Sequence, residues 1–258
     1  MRTYKAIRRC VGKLRRPFAT VTQKLNCHRE GIPGTITCVA TRDPVAALTF
    51  DDGPHPEYTP RLLDILRQHG AHATFFMIGE VAEKHPQIIQ RVAQEGHVIG
   101  NHSWDHRFFP SLSGHERREQ IRACEEALSP HGERLFRPPY GVQSLASRLD
   151  ALRLRYKVVT WSLHANDWCE DNSDRMADRL VRGIRPGSII LLHDAIYRSY
   201  QAVPRYNREP MLAAVTLFLN QVNRRFRFVT VPDLLRRGWP QWHKREPQDT
   251  AIVPPPIT

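Results

Sequence analysis

The stretch Val45-Ala46-Ala47-Leu48-Thr49-Phe50-Asp51-Asp52-Gly53-Pro54 passes from apolar to charged without a break. Residues 45–50 read as a strand, and Gly53 and Pro54 turn the chain directly after two adjacent carboxylates. The pattern recurs along the chain. Residues 73–78, 97–100, 134–137, 156–162, 188–192 and 226–231 read as further strands. Helical segments lie between them. The first has Thr59 as its expected N-cap, Pro60 in its first turn and Gly70 past its end. The second starts near Pro86 and stops at Gly96. Ser113 and Glu116 make the capping-box pair that opens the third. The others start near Ser144, Asn172 and Pro210. Seven strands alternating with six helices imply parallel βα units, in a barrel or a doubly wound sheet. No Gly-rich dinucleotide fingerprint follows any strand, which favours the barrel.

Reactive side chains sit just after successive strands. Asp51 and Asp52 follow the first, His102 and His106 the third, Arg137 ends the fourth, Asp167 and Trp168 follow the fifth, and His193 and Asp194 the sixth. A parallel βα barrel brings all strand C-termini to one face, where active sites form. Residues more than 140 positions apart converge there.

Each group also has a plainer reading. Adjacent carboxylates repel unless a cation or shared proton relieves them; an N-cap or Asx-turn needs only one of the two. The i, i+4 spacing of His102 and His106 places both rings on one side of a helical turn, where they can share a metal. Thirteen histidines make one such pair by chance plausible. Ser103 after His102 excludes the zincin motif. Adding one Asp gives a three-ligand catalytic set with positions open for water and substrate. Arg137-Pro138-Pro139-Tyr140-Gly141 is a stiff turn, either a rigid loop with an ion-paired Arg or an Arg aimed at a carboxylate with backbone N–H groups held toward a substrate oxygen. His193 closes the run Ile189-Ile190-Leu191-Leu192, where a lone His is more often a packed core residue.

Taken together, Thr49-Phe50-Asp51-Asp52-Gly53-Pro54, His102-Ser103-Trp104-Asp105-His106, Arg137-Pro138-Pro139-Tyr140-Gly141, Asp167-Trp168 and Leu191-Leu192-His193 resemble the motifs of the polysaccharide deacetylases, the family 4 carbohydrate esterases with a NodB homology domain. The resemblance spans residues 45–236, with Phe226-Arg227-Phe228-Val229-Thr230-Val231 similar to the close of that domain. It implies an α/β fold, a distorted (β/α)7 barrel forming a single catalytic domain. It also implies a divalent metal, zinc first, with cobalt, manganese and nickel as alternatives. By the same resemblance Asp52, His102 and His106 hold the metal, Asp51 is the general base and Arg137 pairs with it. The Tyr140 N–H contributes to the oxyanion site. His193 is the general acid, tuned by Asp167. Leu191 lines an acetyl-methyl pocket, and Trp168 and Pro138 wall the sugar groove. One position departs from the family: His164 stands where an Asp often precedes the Asp-Trp pair, which bears on the groove wall and substrate choice.

The flanks differ in character. Residues 1–44 form a basic arm and residues 237–258 a Pro-rich tail expected to be extended. Residues 1–30 hold nine Lys or Arg and one acid, so this segment supplies +8 of the chain's formal +12. Tyr4, Ile7, Val11, Leu14 and Phe18 repeat at helical spacing, a pattern that suits an anionic membrane surface or an exposed basic arm. No continuous apolar run follows the positive residues, so it does not read as a secretory signal. No stretch approaches the roughly 20 apolar residues of a membrane span. The five cysteines, Cys10, Cys27, Cys38, Cys124 and Cys169, contain no CxxC pair. They read as unpaired, mostly buried thiols, with a Cys27–Cys38 bridge open to an exported chain.

The expected function is a metal-dependent hydrolase that removes N-acetyl groups from N-acetylglucosamine-containing poly- or oligosaccharides and releases acetate, its partner being that N-acetylated carbohydrate. Hydrolysis of O-acetyl esters or other non-peptide amides on the same barrel is the alternative. A reading of another class, a membrane-surface or nucleic-acid binding protein, rests on the arm alone; the main domain has no basic-aromatic stripe, so no nucleic acid is expected. The substrate class points to the cell envelope or the cytoplasmic face of the membrane. Residues 195–210, with Tyr197, Arg198, Tyr200, Arg205, Tyr206 and Arg208, read as a lid over the groove or as an exposed loop; as a lid, their arginines suit an anionic substrate.

Overall fold

A computed structural model of the chain describes residues 34–197 and 207–242. In chain order the elements are β1 (Thr35–Ile36), β2 (Cys38–Ala40), β3 (Val45–Asp51), α1 (Tyr58–Gln68), β4 (Ala73–Met77), α2 (Gly79–Ala82), α3 (Pro86–Gln94) and β5 (Val98–Asn101). After these come α4 (Gly114–Leu128), β6 (Gly132–Phe136), α5 (Leu145–Arg153), β7 (Lys157–Val159), β8 (Leu163–His164), α6 (Ser173–Gly183) and β9 (Ile189–His193). The last are α7 (Glu209–Val222), β10 (Arg227–Phe228), α8 (Val231–Leu235) and β11 (Trp239–Gln241). All six expected helices are present, and each expected strand region carries a strand, though that expected at 226–231 is only Arg227–Phe228, with Val231 already in α8.

The sheet order is β1-β7-β6-β5-β4-β3-β9-β8, with β10 also on β3, and every pairing in this nine-stranded sheet is parallel. The sheet curls into the expected distorted barrel. Residues 156–162 do not form one continuous strand. The chain changes partner midway: β7 pairs with β6 and β1, then Thr160 N donates to Ile36 O and Ser162 N to Ile189 O, and β8 continues on β9. This step carries the chain between the two ends of the sheet.

Strand alternation divides the core in two. Ala46, Leu48 and Phe50 of β3, Ala73, Phe75 and Met77 of β4, and Ile190 and Leu192 of β9 face the helices, where they meet Leu62, Leu63 and Leu66 of α1 and Val215 and Phe218 of α7. The intervening residues, Val45 and Ala47, Phe76, and Ile189 and Leu191, fill the inside with Leu135, Val159 and Trp161. Side chains alternate strictly along a strand, so the inward row of β3 continues from Val45 and Ala47 to Thr49 and Asp51, and that of β9 ends in His193. The polar residues occupy the C-terminal rim of an otherwise apolar interior.

The boundaries expected at 44/45 and 236/237 fall inside the folded body. β1 adds to β7, and β11 pairs antiparallel with β2. Strands of two and three residues carry too little periodicity to be read from sequence. Residues 1–33, with the expected amphipathic segment, and 243–258 lie outside the described residues. Cys38 and Cys124 are free thiols. Cys124 is buried, but Cys169 is exposed, contrary to the expectation for most of them. No helix among the described residues is long and apolar enough to cross a membrane.

Helix starts follow the sequence in three cases. Ser113 and Glu116 make the reciprocal capping box of α4, Ser144 caps α5 and Asn172 caps α6. Thr59 is not the cap: it is the second residue of α1, after Glu57 and Tyr58, and its hydroxyl donates to Asp194. Ser113→Ala removes an exposed cap that the site does not use. It should lower stability by about 1 kcal/mol, read as a shift in urea midpoint, with activity unchanged.

Candidate active site

Asp51 ends β3 pointing inward. Asp52 has φ 73, the left-handed region that Asp tolerates better than most residues. This turn breaks strand alternation, so both carboxylates face one centre: Asp51 Oδ2 lies 3.7 Å and Asp52 Oδ1 3.4 Å from the same nitrogen, His102 Nε2.

His106 Nε2 is also 3.4 Å from Asp52 Oδ1. Asp52, His102 and His106 therefore offer three ligand atoms within 4.8 Å of one another, all on buried residues. The two imidazoles are not on a helical turn. They flank a loop in which Ser103 (φ 71) and His106 (φ 59) are left-handed, held by hydrogen bonds from Ser103 N to Asn101 Oδ1 and from His106 N to Ser103 Oγ. The loop brings the rings to 4.9 Å between centroids.

Three features fit this set to a divalent cation. Asp52 Oδ1 is buried without a hydrogen-bond partner, while Oδ2 accepts from Tyr197 N at 3.0 Å. A buried lone carboxylate oxygen is costly unless something positive meets it. His102 Nδ1 lies 2.7 Å from Arg137 O; a carbonyl only accepts, so Nδ1 carries the proton and Nε2 presents its lone pair. Burial pushes His106 down to about 3, leaving a neutral ring able to ligate. Burial disfavours the ionised form of Asp52, yet the imidazoles of His106, His102 and His193 hold its carboxyl below the usual range.

Arg137 follows β6 and is fully buried. Its Nη1 donates to Asp51 Oδ1 at 2.6 Å and to Thr49 Oγ1 at 2.8 Å. Nε and Nη2 donate to the carbonyls of Val159 and Thr160 at 3.3 and 2.9 Å. Its guanidinium carbon lies 4.1 Å from the Phe76 ring centroid. Desolvation lowers its pKa, but an Arg remains charged in protein interiors.

On the opposite side His193 Nδ1 lies 3.1 Å from Asp167 Oδ1, and His193 N donates to Asp167 Oδ2 at 2.8 Å. Burial opposes the charged ring, but Asp167, Asp52 and Asp51 raise its pKa above the ordinary value. Arg208 was grouped with the lid arginines that suit an anionic substrate. It is buried instead, donating from Nη2 to Asp167 Oδ2, from Nη1 to Asp167 O at 3.0 Å and from Nε to His193 O at 3.2 Å. Nothing in the sequence around Asn207-Arg208-Glu209 signals that role. Thr49 was also missed as a contributor, although a hydroxyl in an otherwise apolar strand was a visible hint.

Tyr140 (φ 59) sits at the bend after Pro138 and Pro139, its ring 4.5 Å from that of His106. Trp168 stands edge-on to His193 at 5.6 Å, and His164 packs on Trp168 at 5.2 Å. Leu191 is buried in the inner core beside Trp161, and Pro138 is buried behind the loop. Of the expected lid, Tyr197 reaches Asp52 through its N–H and Glu80 through its hydroxyl. Residues 198–206 lie outside the described residues.

A parallel barrel whose rim gathers two carboxylates, two imidazoles and a carboxylate-paired third histidine has the groups of a metal-assisted hydrolase. Comparison with known proteins agrees. A polysaccharide deacetylase family model matches residues 39–159. A peptidoglycan-N-acetylglucosamine deacetylase of Bacillus cereus is 37% identical over 195 residues, 74% of this chain and 68% of that protein. A chitooligosaccharide deacetylase of Azorhizobium caulinodans is 40% identical over 151 residues, 57% of this chain and 72% of that protein. The crystal structure of a peptidoglycan N-acetylglucosamine deacetylase with 4-naphthalen-1-yl-N-oxidanyl-benzamide superposes with a TM-score of 0.72 at 32% identity, covering 87% of this chain and 99% of that one. The chain belongs to the polysaccharide deacetylase family, and so to the hydrolases acting on carbon–nitrogen bonds of N-acetylated sugars.

Asp194, next to His193, is fully buried against Gly53, and burial pushes its carboxyl up to about 7. Below the ordinary carboxylate value both folded and unfolded chains hold this proton. As pH rises from about 4 to 7 the unfolded chain releases it while the folded chain keeps it, so stability falls. Asp194→Asn cannot ionise. Its melting temperature should match wild type near pH 4 and exceed it increasingly up to pH 7, measured by thermal unfolding.

Proposed function

We propose that this protein removes the N-acetyl group from N-acetylglucosamine units of a glycan, peptidoglycan-like or chitin-like, releasing acetate and a free amino sugar. The observation that carries this reading is the buried Asp52, His102 and His106 set beside an Asp51 whose second oxygen is left over from the Arg137 pair. The names of the Bacillus cereus and Azorhizobium caulinodans relatives support an N-acetylglucosamine-containing substrate.

Asp52, His102 and His106 would hold the ion, with zinc the expected metal for two imidazoles and one carboxylate. When bound, such an ion polarises a carbonyl and acidifies a water. The chain's own groups do the rest. Arg137 occupies Asp51 Oδ1, leaving Oδ2 to take a proton from the attacking water. In this reading the N–H of Tyr140, in its left-handed turn, meets the developing oxyanion. His193, charged through Asp167, donates from Nε2 to the leaving amine, since Nδ1 is held by the carboxylate. Arg208 fixes Asp167 so that the imidazole keeps its direction. Leu191 and Trp168 give the acetyl group and sugar apolar surfaces, with His164 extending the Trp168 wall.

Acetate release from chitin oligomers, peptidoglycan fragments and O-acetylated xylan tests the substrate class; release from the xylan alone would contradict it. Asp51→Asn should keep its metal and lose about 10²–10⁴-fold in turnover, whereas His102→Ala should lose metal and turnover together. The acid assignment has a signed pH dependence. A protonated His193 is required, so activity falls as pH rises through its raised pKa. Asp167→Asn removes the nearest negative charge, and the alkaline limb of the kcat/KM profile should move to lower pH. An unmoved limb would exclude His193 as the titrating acid.

A further inference from the structure

The two oxygens of Asp52 have different surroundings. Oδ1 lies 3.4 Å from both imidazole Nε2 atoms, whereas Oδ2 accepts from Tyr197 N at 3.0 Å. The last torsion of an Asp side chain is broad and two-fold, so a carboxylate needs a partner to hold its plane. An N–H on an ionised oxygen is among the stronger hydrogen bonds available for this. By holding Oδ2, the Tyr197 N–H aims Oδ1 at the place where the imidazoles meet. Donor and acceptor are 145 residues apart in the chain.

Tyr197 is anchored by its side chain. It lies four residues beyond the end of β9, and its phenol donates to Glu80 Oε2. Glu80 is the second residue of α2, and α2 is tied to the loop that carries the histidines. Gly79 N donates to Ser103 O at 3.0 Å, and Glu80 N donates to Trp104 O at 2.9 Å. Ser103 and Trp104 stand between His102 and His106. The Tyr197 ring is itself edge-on to His106, 6.1 Å between centroids. One phenol–carboxylate bond therefore couples the hydrogen-bond donor of Asp52 to the loop that bears the other two ligands.

The remaining oxygen of Glu80 meets Lys84 Nζ at 3.2 Å, an i, i+4 pair on the surface. Such pairs contribute little to stability. What sets Glu80 apart is the group on its other oxygen, because that group leads directly to a metal-ligand side chain.

We propose that Tyr197 and Glu80 form a latch that sets the metal affinity of the site. The phenol–carboxylate bond keeps the Tyr197 N–H on Asp52 Oδ2, so that Asp52 offers Oδ1 alone to the ion, in a fixed direction relative to His102 and His106. Both are positioning residues that act through Asp52. The latch rests on the reading of Asp52, His102 and His106 as the metal set.

Competition of the zinc-loaded protein with a chromophoric chelator tests it, with thermal unfolding of the metal-free form measured alongside. Tyr197→Phe keeps the ring and loses the bond. It should weaken zinc affinity about tenfold or more, as loss of a group behind a metal ligand typically does, with the metal-free melting temperature little changed. Glu80→Ala should match it, and the double variant should bind zinc no more weakly than either single one. Glu80→Gln keeps an acceptor oxygen and should restore most of the affinity. Wild-type zinc affinity in Tyr197→Phe would overturn the latch, as would additive losses in the double variant or a fall in melting temperature with affinity untouched. A wild-type chain that takes up no zinc would overturn the metal set itself, and the latch with it.

Discussion

The site depends on one guanidinium placed where water cannot reach it. Taking an Arg out of water costs several kcal/mol unless its N–H groups are met. Arg137 is met by Asp51, Thr49 and the carbonyls of Val159 and Thr160. Those partners come from β3 and from the end of β7, and Arg137 itself follows β6. The ion pair is therefore satisfied only when three separate strand ends converge. The partner change after β7, which leaves the Thr160 carbonyl facing Arg137, is the distortion that makes the convergence possible.

The same constraint separates two carboxylates that are neighbours in sequence. Asp51 receives a fixed positive partner on one oxygen. Asp52, turned by its left-handed backbone, receives a backbone N–H on one oxygen and two imidazoles beside the other. The histidines divide likewise: burial keeps His106 neutral, whereas Asp167 favours the charged form of His193. Opposite environments for like groups are how acid and base assignments are separated within one pocket. In the proposed reaction this lets one pair of aspartates serve as ligand and base, and the histidines as ligands and acid.

Much of this was legible in the sequence because strand alternation and strand-end polarity are local signals. Asp51, His102, Arg137, Asp167 and His193 each stand at or just past a strand end, so a parallel topology brings them together. What escaped had no periodic or positional mark. The two-residue β1 and three-residue β11 are held by partners distant in the chain. Thr59 looked like a cap and proved to be a buried donor to Asp194, since only the fold brings residue 194 beside α1. Arg208 read as a lid cation because its partner, Asp167, is 41 residues away. The His102 and His106 pair was noticed by its spacing, but on the wrong grounds: a loop with two left-handed residues, not a helical turn, brings the rings together.

The central claim is that Asp52 and two imidazoles, not Asp51, meet one divalent ion. X-ray absorption at the zinc edge of protein loaded with one equivalent of zinc tests it most directly. Scattering from two imidazoles with the remaining neighbours oxygen is expected, unchanged in Asp51→Asn and lost in Asp52→Ala. A sulfur neighbour, a third imidazole, or a shell altered by Asp51→Asn but not by Asp52→Ala would contradict it.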